Sequence, residues 1–454
     1  MALAPAGTVD ILHVPYTYFP DSVGGTEVYV AGLSRALQCL GSRSAIAAPS
    51  SRNAAYDREG IPVFRFAIDQ TPGLAAAYGE PDSVATGSFA SLISQLRPRI
   101  VHLHARTAAV SERLVDAARA IGAKTVFTYH TPAVSCVRGT MMRLGNARCD
   151  GVLNHRRCTS CVLAAHNVPP LLGNALARVP TSVGHALAST GLSGRVVTAL
   201  RMPALVDAAH RRFHDLMAKV DRVIAVCEWV RAVLLANGVP EDKVALCRQG
   251  LPLPPSVPEV CETGNISGAR PAGPLRLGYF GRLHPAKGLD ILIDALRLVP
   301  QVAVELAIYG IGQPGSERYA AALRSRAQGD PRVSFRPVLA SASVQDAMRH
   351  CDLVAVPSRW METGPLVVLE AFAARTPVLG TRLGGIKELV RDEVDGVLLS
   401  ADDPRIWACA LAALAAAPGR VARLRSNIRP PRTMSDVADE MAIHYRDLIS
   451  DAGD

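Results

Sequence analysis

The chain has 454 residues, 49% hydrophobic and 20% charged, which excludes a disordered or low-complexity protein and leaves room for two or three globular domains. Ten cysteines are too few for a secreted disulfide scaffold. Met1 to Leu12 lacks the basic start of a signal peptide, and the longest apolar run, Ile406 to Pro418, is too short to span a bilayer, so a soluble cytoplasmic protein is expected. The net charge of +9 is concentrated between Thr131 and Val220, where eleven Arg and Lys face only Asp150, Asp207 and Asp215. With no zinc-finger, RRM or OB signature and few aromatics, this window argues against nucleic acid. It is either a solvated face or a surface for an anionic partner, such as a membrane leaflet or a phosphate-bearing acceptor.

Short β-branched runs alternate with helical patterns from Val9 onward. Residues 9–14, 44–48, 63–66, 100–104 and 125–130 read as strands, with helices over 27–40, 89–96 and 107–121. Strand 220–226, helix 228–237 and strand 244–248 continue the series. Leu251 to Pro274, with six prolines and three glycines, reads as a linker. The alternation restarts with strands at 275–279, 304–309, 333–335, 353–357 and 377–380. Helices are predicted between them over 289–298, 316–327, 344–350 and 365–374. A last helix, near 434–449, follows the Pro430-Pro431 break and is a candidate to cross back to the first domain. The pattern predicts an α/β protein of two Rossmann-like, doubly wound domains facing each other across a cleft. The expected boundaries are 1–255, a linker over 256–274, 275–428, and a closing helix in 429–454.

Ligands bind open α/β sheets outside the carboxyl ends of the strands, so the strand-to-helix loops carry the candidate site. The first is Gly24-Gly25-Thr26-Glu27, whose glycines let backbone N–H groups approach a phosphate or sugar. It lacks the G-x-G-x-x-G spacing of a dinucleotide fingerprint. The second, Gly281-Arg282 to Lys287-Gly288, sets a planar cationic fork and a compact charge five residues apart, able to grip a diphosphate from two sides. The third runs from Pro357 through Glu362-Thr363-Gly364-Pro365-Leu366 to Glu370. There Pro365 suits the first helical position, the helix start offers free N–H groups to an anion, and two carboxylates eight apart can accept hydrogen bonds from sugar hydroxyls. Gly384-Gly385 opens a further helix on the same edge.

Taken together, Glu362-x7-Glu370, the Arg282 to Lys287 loop, Gly384-Gly385-Ile386-x-Glu388-Leu389-Val390 and Gly24-Gly25-x-Glu27 resemble the retaining glycosyltransferases of family 4, with the GT-B fold. That resemblance implies sugar transfer from a nucleotide diphosphate sugar, with no cofactor or catalytic metal. It assigns Arg282 and Lys287 to the diphosphate, Glu362, with Thr363, Gly364, Pro365 and Leu366, to the donor, and Glu370 to the ribose. Gly24, Gly25 and His130 would meet the donor phosphate and sugar from the first domain, with Glu27 and His104 on the acceptor side. His130, Glu362, Arg282 and Lys287 form the expected catalytic set. In 333–338 the glycine usual after the Phe is missing, which leaves the base unassigned. The acceptor would be a saccharide, a lipid-linked saccharide or another hydroxyl compound, the chain looking closest to a bacterial exopolysaccharide subgroup with cysteine-bearing inserts. The rivals are a nucleotide-sugar epimerase of the same fold and a non-catalytic nucleotide-sugar-binding protein.

Two side-chain groups stand apart. His102 and His104, two apart at a strand end, share a face. Cys136, Cys149, Cys158 and Cys161 fall within 26 residues, a cluster open to a structural zinc, to free thiols or to disulfides.

Overall fold

The computed structural model describes residues 9–21, 24–252, 273–313, 315–400 and 402–450. Most of the expected linker and Val23 of the first glycine loop lie outside the described residues. The chain divides into two units, Met1–Arg248 with Met434–Asp454, and Gln249–Thr433.

Unit 1 is built on β1 (Ile11–Val14), β2 (Ser44–Ser50), β3 (Ala54–Arg58), β4 (Ile61–Ala67), β5 (Ile100–Leu103) and β6 (Lys124–Tyr129). A small hairpin, β7 (Met142–Arg143) and β8 (Ala147–Arg148), precedes β9 (Arg222–Ala225) and β10 (Val244–Leu246). The large sheet runs β10-β9-β6-β5-β1-β2-β4-β3. Every pair is parallel except β3–β4, whose tight turn places Glu59 and Gly60 at φ 53° and 81°. β1 and β5 are buried along their whole length, as strands covered by helices on both faces must be. The Gly25–Cys39 helix and the closing Met434–Ser450 helix share one core, in which Tyr29, Leu33 and Leu37 meet Val437, Met441 and Tyr445. Residues 131–219, expected only as a basic insert, hold the hairpin and four helices: His155–Ala165, Pro170–Leu176, Thr181–Ser189 and Arg195–Lys219.

Unit 2 carries β11 (Leu275–Arg282), β12 (Val304–Ile311), β13 (Val333–Phe335), β14 (Leu353–Val356), β15 (Val378–Thr381) and β16 (Gly396–Leu399). The sheet is parallel throughout, in the order β13-β12-β11-β14-β15-β16. Leu277, Leu306, Leu353, Leu379 and Trp407 fill one core, and Val354, Val368, Phe372 and Ile386 a second.

Both sheets reverse their strand order once, between β1 and β5 in unit 1 and between β11 and β14 in unit 2. At such a reversal the flanking loops depart in opposite directions and leave a crevice at the strand carboxyl ends. The doubly wound fold expected from the alternation is thus present twice. Four candidate residues lie next to these two reversals: His104 follows β5, Arg282 ends β11, and the loops after β11 and β14 carry Lys287 and Glu362.

Candidate active site

In unit 2 the loop after β11 brings Lys287 to the loop after β14, where its Nζ lies 2.5 Å from Glu362 Oε1. The Ser358 hydroxyl donates to the same oxygen at 2.7 Å, and the Trp360 ring lies 5.3 Å from the ammonium. Glu362 is only 7% exposed. Burial pushes its carboxyl up, but the charge and hydrogen bond of Lys287, with that of Ser358, outweigh burial and hold it below its ordinary value.

Two glycines make this approach sterically feasible. Gly288, at φ 67°, sits so close to Pro357 that a Cβ there would fall 2.0 Å from the Pro357 carbonyl oxygen. Gly384, at φ 48°, presses on the backbone of Glu362, and the Gly385 N–H donates to the Glu362 carbonyl at 2.6 Å. The two loops are further joined by the Arg359 N–H to the Ala286 carbonyl at 2.8 Å, and by the Arg359 guanidinium to Asp290 at 2.8 Å. Arg282 keeps its guanidinium free of any acid among the described residues, with only Gln313 Oε1 at 3.4 Å.

Glu370 lies five positions into the Leu366–Ala373 helix, half-buried on a face that is otherwise apolar. No side-chain or main-chain group among the described residues bonds its carboxyl, and burial pushes it up to about 7. Pro365 immediately precedes the helix, one position ahead of the expected one.

Unit 1 gathers histidines from three neighbouring strands. Strand register sets His13 of β1 beside His102 of β5, and His104 and His130 follow the ends of β5 and β6. His13 Nδ1 lies 2.9 Å from His104 Nε2, and His104 Nδ1 lies 3.0 Å from His130 Nε2. His102 bonds instead to Tyr445 Oη at 2.6 Å and Thr128 Oγ1 at 2.7 Å. All four imidazoles are buried, and burial lowers them, His13 and His130 to about 3 and His102 and His104 well below the usual value. Each is therefore neutral at pH 7, with one N–H and one lone pair, so His13, His104 and His130 form a head-to-tail chain. Sequence spacing singled out His102, His104 and His130; His13 was missed, because nothing local marks it until β1 and β5 pair. Glu27 is buried and accepts the Gly24 N–H at 2.7 Å, closing the start of its own helix.

The four clustered cysteines lie on the β7–β8 hairpin and the His155–Ala165 helix, or beside them, and none is in a disulfide. The Leu144 N–H reaches Cys161 Sγ at 3.2 Å and the Gly151 N–H reaches Cys149 Sγ at 3.5 Å. Among the described residues, no three of these sulfurs come within 4.8 Å of one another, whereas His13, His102 and His104 do offer such a set. That set contains no carboxylate, and both His102 nitrogens are already bonded.

Two doubly wound sheets, parallel but for β3–β4, with candidate loop sites at their reversals match the GT-B class. Residues 23–253, half of the chain, match Glycosyltransferase Family 4, and residues 274–417 match Glycosyl transferases group 1. The chain belongs to glycosyltransferase family 4. A D-inositol 3-phosphate glycosyltransferase of Xylanimonas cellulosilytica is 33% identical over 234 residues, 50% of this chain and 52% of that protein. The chain thus spans about half the length of the curated relatives it matches. Among solved structures, Anabaena HepE in complex with UDP has a TM-score of 0.61 at 18% identity, covering 97% of this chain and 100% of that one. Sucrose-phosphate synthase from Thermosynechococcus elongatus has a TM-score of 0.64 at 17% identity, covering 97% and 99%. Both likenesses concern the fold.

Replacing Lys287 by Ala would leave Glu362 buried without its cation, costing about 2–4 kcal/mol given the partial exposure of the lysine. In the native protein Glu362 is held low, so its contribution is present above its unfolded value of 4.5 and fades as pH falls. In Lys287→Ala burial is opposed only by the remaining hydrogen bonds, that of Ser358 among them, and raises it, so the deficit is smallest near pH 4 and grows toward pH 8. Denaturant midpoints at both ends of that range check the sign; an equal deficit at each would mean the pair is not electrostatically coupled.

Proposed function

We propose that this chain is a retaining, metal-independent glycosyltransferase that moves a sugar from a nucleotide diphosphate sugar to an acceptor hydroxyl. The acceptor is a saccharide, a lipid-linked saccharide or another hydroxyl compound, in polysaccharide or glycoconjugate assembly. The observation that carries the reading is the Lys287–Glu362 pair at the unit 2 reversal, with an unengaged guanidinium, Arg282, at the end of the adjoining strand. Arg282 and the spare N–H groups of Lys287 hold the diphosphate, and the start of the Leu366–Ala373 helix adds its dipole. Glu362, with Thr363, Gly364, Pro365 and Leu366 around it, takes the donor-sugar hydroxyls. Glu370 takes the ribose. From unit 1, Gly24, Gly25 and neutral His130 serve the donor phosphate and sugar, and Glu27 and His104 line the acceptor side.

As the sugar–oxygen bond breaks, both bonding electrons pass to the diphosphate, and the cations stabilise that charge. The acceptor hydroxyl adds to the same face and gives its proton to the departing phosphate oxygen, which retains the anomeric configuration. The UDP complexes of HepE make UDP-sugars the first donors to try, and the D-inositol 3-phosphate glycosyltransferase relatives add phosphorylated cyclitols to the acceptor panel.

A panel of nucleotide sugars, assayed for released nucleoside diphosphate with and without acceptors, tests the reading. Arg282→Ala is expected to cut turnover by about 100-fold, the scale of one lost contact to a developing oxyanion. Conversion of the sugar while it stays attached would mean an epimerase; binding with no turnover of any donor would mean a binding protein.

Glu370 supplies a pH test. Burial pushes its carboxyl up to about 7, and the ionised form accepts ribose hydroxyls far more strongly than the neutral acid. Nucleoside diphosphate affinity is therefore expected to rise about tenfold between pH 6 and pH 8. Glu370→Gln should abolish that rise and leave only the nucleotide's own titration, which both proteins share. Identical profiles for the two would remove Glu370 from the site.

We also propose a structural zinc at Cys136, Cys149, Cys158 and Cys161, whose binding would have to draw the sulfurs closer than the spacing described above; the main-chain N–H groups that two of these sulfurs accept favour thiolates there. Elemental analysis should find about one zinc per chain, released on Cys158→Ser. A metal-free protein at its fully reduced mass would leave the cluster as free thiols.

A further inference from the structure

Between residues 151 and 206 the sequence contains no aspartate or glutamate, while Arg156, Arg157, Arg178, Arg195 and Arg201 fall within it. Only Arg157 has an acidic partner, Asp150, among the described residues. The same stretch is unusually apolar at its surface. Residues 168–200 include eleven leucines and valines, and none of them is buried. Leu171 is 86% exposed, Val196 73%, Leu192 58% and Leu172 53%.

The packing explains this exposure. The Thr181–Ser189 helix rests on the Arg195–Lys219 helix through Gly184, where a Cβ would fall 2.6 Å from Ala204 Cβ. Gly184 is the one buried residue of the shorter helix, so nearly all of its circumference, Val183 included, faces outward. Pro170–Leu176 likewise buries only Gly173 and presents Leu171 and Leu172.

We propose that residues 168–200 of unit 1 dock on a lipid bilayer with anionic headgroups. Large aliphatic side chains left in water cost free energy that the acyl boundary of a bilayer recovers, and arginines without acidic partners favour an anionic surface. A nucleic acid would call for stacking aromatics, and this stretch has none. A second copy of the chain would bring the same uncompensated positive charge against it.

Co-sedimentation of the full chain with vesicles tests this docking. The chain should bind a two-to-one mixture of phosphatidylcholine and phosphatidylglycerol more tightly than phosphatidylcholine alone, and added salt should weaken the difference. Leu171→Ser with Leu172→Ser should lower binding roughly tenfold or more, and Arg178→Gln with Arg195→Gln about fivefold for each charge. All four positions are exposed, so unchanged circular dichroism and melting would confirm folded variants. A wild-type chain that ignores both vesicles, or variants that bind as tightly as it does, would overturn the proposal. So would a concentration-dependent dimer lost in the leucine variant without vesicle binding.

Discussion

A carboxylate taken out of water needs a cation beside it, and unit 2 is arranged around that requirement. Glu362 is buried on the loop after β14, and Lys287 arrives from the loop after β11. The two loops meet only because Gly288 clears the Pro357 carbonyl and Gly384 clears the Glu362 backbone. The Arg359–Asp290 bond fixes the same junction from the other side. A parallel sheet supplies the geometry: β11 and β14 are neighbours, yet their loops leave in opposite directions. Charge, steric room and topology therefore set one position together.

Unit 1 solves a different problem at its own reversal. Instead of a charge and its counter-charge, it gathers four buried imidazoles that stay neutral. Burial keeps each from taking a second proton, and bonds among three of them, with Tyr445 and Thr128 on His102, satisfy most of their nitrogens. Tyr445 reaches His102 from the closing helix, so the last helix of the chain supports residues read from its first strands.

Much of this was legible in the sequence because strands covered on both faces read as unbroken apolar runs, and helices between them keep their spacing. The candidate site of unit 2 was legible for a related reason: Arg282, Lys287 and Glu362 stand at strand ends or in the loops after them, marked by glycine and proline, with Glu370 in the helix that follows. Ser358 and Asp290 were not, since a hydroxyl and an exposed-looking acid gain their roles only when distant loops meet. His13 was hidden by lying inside an ordinary strand. The helices of 155–219 were hidden by composition, being capped by prolines, interrupted by Pro203 and lacking a strong polar–apolar stripe. β3 escaped because Ala54–Arg58 is a short edge strand with little apolar content.

The closed pairing of Lys287 with Glu362 bears on how an anionic ligand is captured. Viewed from beyond a Debye length, about 8–10 Å at physiological salt, the paired charges of Lys287 with Glu362 and of Arg359 with Asp290 largely cancel. Arg282, which has no acidic partner among the described residues, is left to project a local field. On the proposed reading, a diphosphate reaching such a site is attracted weakly at a distance and strongly on contact, when Lys287 can share its remaining N–H groups. Discrimination then lies in how long the ligand stays rather than in how fast it arrives, and ionic strength has little hold on either.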